Sequence, residues 1–252
     1  MKEKNALIQT WDVLEAQRTY WVVYYILSCG LVLSRVFDDL SIIKALLNLA
    51  LEITSSFFAF IAIQNLCYSR YIFKITNFLK YAVVYFLFVK IPFALGFASV
   101  GGFIETLPTY ETDWRVFFVF VSFYASAMHL LLMAVLGTAL PAVLIRTKWG
   151  VFTSVSRFFR QIRYLFPRIL LGLTFIALIA GFQFLFAETI VYRLAPRTVF
   201  GNVNPVGVAY VLSWQAIRIF GLALIVVVVY RAFLKDAKER GELPAAEADV
   251  FA

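Results

Sequence analysis

ILLGLTFIALIAGFQFLF, residues 169–186, runs 18 positions without a charged side chain. As a helix rising ~1.5 Å per residue it covers about 27 Å, close to the ~30 Å hydrocarbon layer of a bilayer. Inside that layer a segment must satisfy its own amides, which leaves helices or closed barrels. Alternating-polarity strands of about ten residues do not recur in the chain, so the helix is indicated. Working outward, comparable apolar runs occupy residues 20–37, 41–66, 81–100, 114–140 and 208–229. The expected fold is all-α: a polytopic integral membrane helical bundle of six transmembrane helices.

Composition agrees, because 62% of the 252 residues are hydrophobic and 15% charged, against about 25% charged in soluble domains. Six spans with short loops leave no room for a separate soluble domain of ~100 residues. The expected organisation is a cytoplasmic amphipathic helix over residues 1–19, one six-helix transmembrane domain over 20–230 and a charged cytoplasmic tail over 231–252. The polar start and the late first apolar run, without a small-residue cleavage site, predict that the first span stays as a signal anchor.

The net charge of +8 reads as topology rather than as nucleic-acid binding, because Lys and Arg collect on the cytoplasmic side of membrane proteins. With six spans, sixteen of the 23 cationic side chains fall on one side: the N-terminal segment, the loop of Arg70, Lys74 and Lys80, the segment Arg146 to Arg168, and the tail. Five fall on the other, and Lys90 and Arg218 lie within spans. This bias places both termini inside, an N-in/C-in arrangement. Cys29 and Cys67 lack metal-ligand spacing and read as small buried hydrophobes.

Local signals complete the outline. Leu7, Ile8, Trp11 and Leu14 recur at helical spacing opposite Gln9, Asp12 and Glu15, predicting a short amphipathic helix on the inner membrane surface. Arg35, Asp38 and Asp39 mark a tight external turn, and Glu105, Glu111 and Asp113 an acidic outward loop. Pro92 is expected to kink span three, and Pro141 to bend or end span four. Gly241 and Pro244 are stop signals for a tail helical to Arg240.

Ionisable groups within spans are costly, at least ~2.5 kcal/mol at the bilayer centre. Glu52, Lys90 and Arg218 fall about 14–17 Å into their spans, near the midplane, and His129 about 22 Å in, nearer the cytoplasm. They suggest a midplane substrate, ion or proton site in which Glu52 balances Lys90 or Arg218 and His129 titrates nearby. A buried ion pair fixing helix register, or cations snorkelling to an interface, would use the same residues. Gln183 and Gln215 extend the set. One His without close carboxylates falls short of a metal site. Nucleotide-binding glycine patterns and a Gly-x-Ser-x-Gly frame are absent, so no cofactor is expected.

A second candidate is the stretch Trp149 to Phe166, where Arg157, Arg160 and Arg163 recur every three residues among aromatics. That pattern predicts a basic interfacial helix between spans four and five, with cations at anionic headgroups and rings at the headgroup boundary. Recruitment of a cytoplasmic protein partner and an ordinary positive-inside loop are the alternatives.

The residues Gly137 to Ile145 (GTALPAVLI), then Gly150 to Arg157 (GVFTSVSR) and a new span from Ile169, form an order that resembles the six-helix membrane domain found alone or attached to bacterial glycerophosphodiester phosphodiesterases, and related bacterial membrane proteins. The likeness covers about a fifth of the chain. It implies no catalytic residues, because catalysis in the fused proteins belongs to a separate soluble domain. The expected function is that of a non-catalytic, multi-pass protein of the bacterial inner membrane, a component or accessory scaffold of a transport or envelope-assembly system. Its partners would be membrane lipids with anionic cytoplasmic headgroups, and protein subunits. The alternative is a membrane-embedded enzyme on a lipid or isoprenoid substrate, with Glu52 and His129 as acid and base.

Overall fold

The structure, a computed structural model, describes residues 5–34, 41–67, 75–105, 114–145, 147–186, 189 and 204–242. Among them there is no strand; the regular elements are helices. The expected turn at Arg35, Asp38 and Asp39, the loop of Arg70 and Lys74, the acidic stretch around Glu111 and Asp113, and Pro244 lie outside the described residues.

The chain forms two compact units. One contains α1 (Ala6–Ala16), α2 (Arg18–Ser34), most of α3 (Ser41–Cys67) and the beginning of α10 (Pro205–Glu239). Asn5 caps α1 by accepting from the Leu7 N–H at 3.2 Å, meeting one of the amides a helix start leaves unpaired. Gln17 ends α1, and its carbonyl accepts from the Tyr20 and Trp21 amides as α2 begins. The core of this unit is Leu14, Tyr24, Ile219 and Ala223, with Trp21, Tyr25, Leu51 and Phe220 around it. Tyr25 donates its hydroxyl to the Leu212 carbonyl at 3.1 Å. Helix α2 has 17 residues, about 26 Å of rise, a little less than a ~30 Å core requires.

The other unit contains α4 (Ile75–Tyr85), a π-helical turn over Phe86–Lys90, α5 (Ile91–Glu105), α6 (Trp114–Leu136), α7 (Ala139–Ile145), α8 (Val151–Arg160), α9 (Ile162–Leu185) and the end of α10. Lys80, expected in a loop, belongs to α4. The π-helical turn sits where Pro92 forbids a regular ladder. Proline has no N–H to give the Phe88 carbonyl, and its ring crowds that carbonyl; the preceding turn widens, with the Ile91 N–H reaching back to Phe86. A local π turn thus stands where a kink was expected.

At Pro141 the helix breaks instead. α6 ends at Leu136, α7 restarts at Ala139, and their axes differ by 40°. Pro141 is the third residue of α7, where an amide would have no intrahelical acceptor. Gly137 makes the break possible: a Cβ there would strike the Met133 carbonyl and press on Val229 Cγ1 at 3.1 Å. The core around this corner is Ala134, Leu165, Ile169 and Ala232.

Among the described residues, three helical stretches are long and apolar enough to cross a membrane: Ile75–Gly96, Ile162–Phe182 and Pro205–Glu239. The bent pair Phe123–Leu136 and Ala139–Ile145 makes a fourth if it is one span. The described residues therefore form an all-α fold with the long apolar helices of a membrane protein. α10 has 35 residues, about 52 Å, so it outruns a ~30 Å layer by several turns. It stops at a complete left-handed cap. Gly241 has φ +65°, its N–H bonds the Lys238 carbonyl, and the Glu242 N–H bonds Ala237, the paired 5→2 and 6→1 bonds of a Schellman motif.

Candidate functional site

The densest polar cluster in the described residues joins α8 to the end of α10. Arg157, Arg160 and Gln161 fall within about one helical turn, and Asp236 and Glu239 lie three apart on α10, so each set shares a face. The Asp236 carboxylate accepts from Arg157 Nε at 3.3 Å and from Arg160 Nε and Nη2 at 2.6 and 3.0 Å. Gln161 Nε2 donates to Glu239 at 2.9 Å. The cap at Gly241 turns the chain so that Glu242 accepts from Arg157 Nη2 at 2.9 Å and from Arg240 Nη1 at 3.0 Å.

Arg157 has no exposed surface, and the Asp236 side chain is 1% exposed. A buried guanidinium needs both a counter-charge and hydrogen bonds to offset the loss of water. Here two carboxylates supply the counter-charge and the bonds to Nε and Nη2, and the Phe233 ring lies 5.0 Å from the guanidinium carbon, adding a cation–π contact. Arg160 is a third exposed; its hydrogen bonds to Asp236 raise its pKa, partial burial opposing. It remains charged at any physiological pH. The arrangement is a clasp of mutually neutralised ions that holds two helices together.

The outer side of α8 is the reverse of a water-facing helix. Phe152 is 91% exposed and Phe159 63%, seven residues apart on one stripe. Ser154 and Arg157 are buried. Trp149, just before the helix, is half exposed and inclined against Phe88 at 6.4 Å between ring centres.

The sequence-derived candidates separate into two groups. Arg157 and Arg160 come together on Asp236, turned toward α10 rather than outward. Arg163 and Trp149 are exposed. Of the midspan set, Lys90 is half-buried with Nζ 5.8 Å over the Tyr85 ring. His129 is half-buried on α6, edge-on to Phe93 at 6.2 Å. Both belong to the unit built around α4 to α9. Arg218 is exposed on α10, with Gln215 buried one turn before it. Glu52 lies on α3 and Gln183 on α9, but their side chains are outside the described residues.

Asp236, Glu239 and Glu242 are the functional-site residues that sequence reasoning missed. Their signal was present: an acidic pair at three-residue spacing that matches the Arg157–Arg160 spacing, followed by a glycine stop that brings one more carboxylate back. Among the described residues no three His, Cys, Asp or Glu side chains gather as a metal site would require. No family model, curated protein or solved structure matches the chain.

Proposed function

We propose that this chain is a six-span protein of a bacterial inner membrane, with both termini in the cytoplasm, acting as a non-catalytic component or accessory scaffold of a transport or envelope-assembly system. The observation that carries the reading is the clasp. Its charges are spent on one another, as expected of a device that fixes two elements rather than one that presents a reactive group. The one-sided distribution of Lys and Arg supports the orientation. The order of proline-broken helix, short amphipathic helix and new span, which resembles the membrane domain associated with glycerophosphodiester phosphodiesterases, agrees with a role that does not itself need catalysis.

Copurification from native membranes after mild crosslinking tests the role. A defined protein partner that is recovered with this chain, and not with an unrelated membrane protein of similar abundance, supports it. A lipid-modifying activity abolished by Glu52→Gln or His129→Gln, with the fold intact, overturns it in favour of a membrane-embedded enzyme. Topology is tested separately: a reporter fused after Glu242 and another in the 106–113 segment should report opposite compartments.

A further inference from the structure

We infer that α8 lies against the bilayer turned inside out, with Phe152 and Phe159 entering the lipid interface while the acidic end of α10 holds Arg157 and Arg160 on the protein side. The occupant of its exposed face is an anionic lipid surface. The inference rests on the membrane reading above, and goes beyond it in assigning the contact and the residues that set its orientation.

Three observations carry it. An amphipathic helix of a water-soluble protein buries its rings and exposes its arginines, whereas α8 turns only Phe158 inward, buries Arg157 completely and leaves Phe152 91% and Phe159 63% exposed. Such a helix is consistent only with surroundings that favour rings over water. The exposed apolar surface also does not end with α8: Ile162, Phe166, Leu170 and Leu171 continue it along α9, which is itself long and apolar enough to cross a membrane. A surface that begins on α8 and runs on along a span is a surface for lipid. Finally, the exposed cations in this segment outside the clasp, Lys148, Arg163 and Arg168, are where headgroup phosphates would be met. Arg168 is drawn back along its own helix, donating to the Tyr164 carbonyl at 2.6 Å and lying 3.7 Å over the Tyr164 ring, as a side chain reaching toward an interface does.

The clasp explains the orientation. Asp236 binds both arginines from one direction, which fixes the roll of α8 about its axis and so selects the face that Phe152 and Phe159 occupy. Asp236 is thus a positioning residue for lipid contact, not a lipid ligand.

The test uses the full chain, freed of Cys29 and Cys67 by Cys29→Ala and Cys67→Ser, reconstituted in vesicles of phosphatidylcholine and phosphatidylglycerol. Nitroxide labels at Phe152→Cys and Phe159→Cys should collide with oxygen far more than with a water-soluble nickel chelate, as should a label at Leu178→Cys on the exposed side of α9, while Lys148→Cys shows the opposite preference. Adding Asp236→Asn should lower the oxygen preference at 152 severalfold and leave 178 unchanged. Labels at 152 and 159 that meet nickel freely, or that are shielded from both reagents as a protein partner would shield them, overturn the inference. So does an unchanged preference at 152 in the Asp236→Asn chain. A label at 178 exposed to water would instead sink the membrane reading itself. Should the cysteine-free chain fail to fold, brominated lipids supply the readout: Trp149 must account for a substantial quenched component, obtained by comparing the wild-type protein with Trp149→Phe, and its absence refutes the lipid contact.

Discussion

Helices α1 and α8 have similar lengths, 11 and 10 residues, and both leave apolar side chains exposed, Leu7, Ile8 and Trp11 on one, Phe152 and Phe159 on the other. They are fastened differently. α1 buries Val13 and Leu14, with Leu14 in a core of Tyr24, Ile219 and Ala223. α8 rests Phe158 against the cluster of Ala134 and Leu165, but what it buries fully is Ser154 and Arg157, and carboxylates hold it there. Apolar contact is non-directional, so it presses a helix down while tolerating small rotations. Hydrogen-bonded ion pairs are directional and fix the rotation as well. A helix whose facing matters is better held by the second kind, at the cost of a larger penalty when one partner is removed.

Arg157→Ala should therefore be the most damaging change of those considered. It leaves Glu242 and part of the Asp236 valence without their buried partner, and loss of one member of a buried pair costs about 3–5 kcal/mol. Unfolding in bicelles by a denaturing detergent measures it. Replacing both charges by apolar groups, Arg157→Met with Asp236→Leu, should recover most of the loss, since Arg160 is exposed enough to turn to solvent. Among the described residues Arg157 Nη1 has no hydrogen-bond partner, which makes the apolar exchange easier. A double variant as unstable as Arg157→Ala would mean that the clasp contributes net stability and not only orientation.

Leu14→Ala on α1 should come next, about 2–3 kcal/mol, near the low end for large-to-small core changes because Leu14, 8% exposed, is the least buried of its four core residues. The same unfolding assay compares the two helices directly. An effect equal to that of Arg157→Ala would break the distinction between apolar and ionic fastening. Gly241→Ala tests the cap that delivers Glu242: at φ +65° a Cβ costs about 1 kcal/mol, and the Arg157–Glu242 contact should loosen while that to Asp236 persists.

Much of this architecture was legible in the sequence, because hydropathy over a window of a helix's length is a strong signal and helix stops have local signatures. Gly241 is a stop signal in the sequence, and α10 ends at Glu239. Pro92 and Pro141 both signal a perturbed helix, but the sequence does not say that one is absorbed in a π turn and the other in a 40° break; Gly137, where a side chain cannot fit, makes the difference. The clasp was not legible. Asp236 is 79 residues from Arg157, and a periodic run of arginines between aromatic residues looks the same whether its basic side faces lipid or a neighbouring helix. Only the position of α10 decides that.

Phe152→Ser should have the smallest effect on folding and is the sharpest test of what the two helices share. A side chain 91% exposed makes little contact within the protein, so its removal should change stability in detergent by less than about 0.5 kcal/mol; the corresponding change at Trp11 on α1, 63% exposed, should behave alike. Against lipid the ring gains from leaving water, about 1.5–3 kcal/mol when fully buried, so Phe152→Ser should weaken the membrane contact of α8 while leaving the fold intact. A large loss already in detergent would mean that the ring packs within the fold, and the outward faces of α8 and α1 would then have to be explained by protein rather than by the membrane.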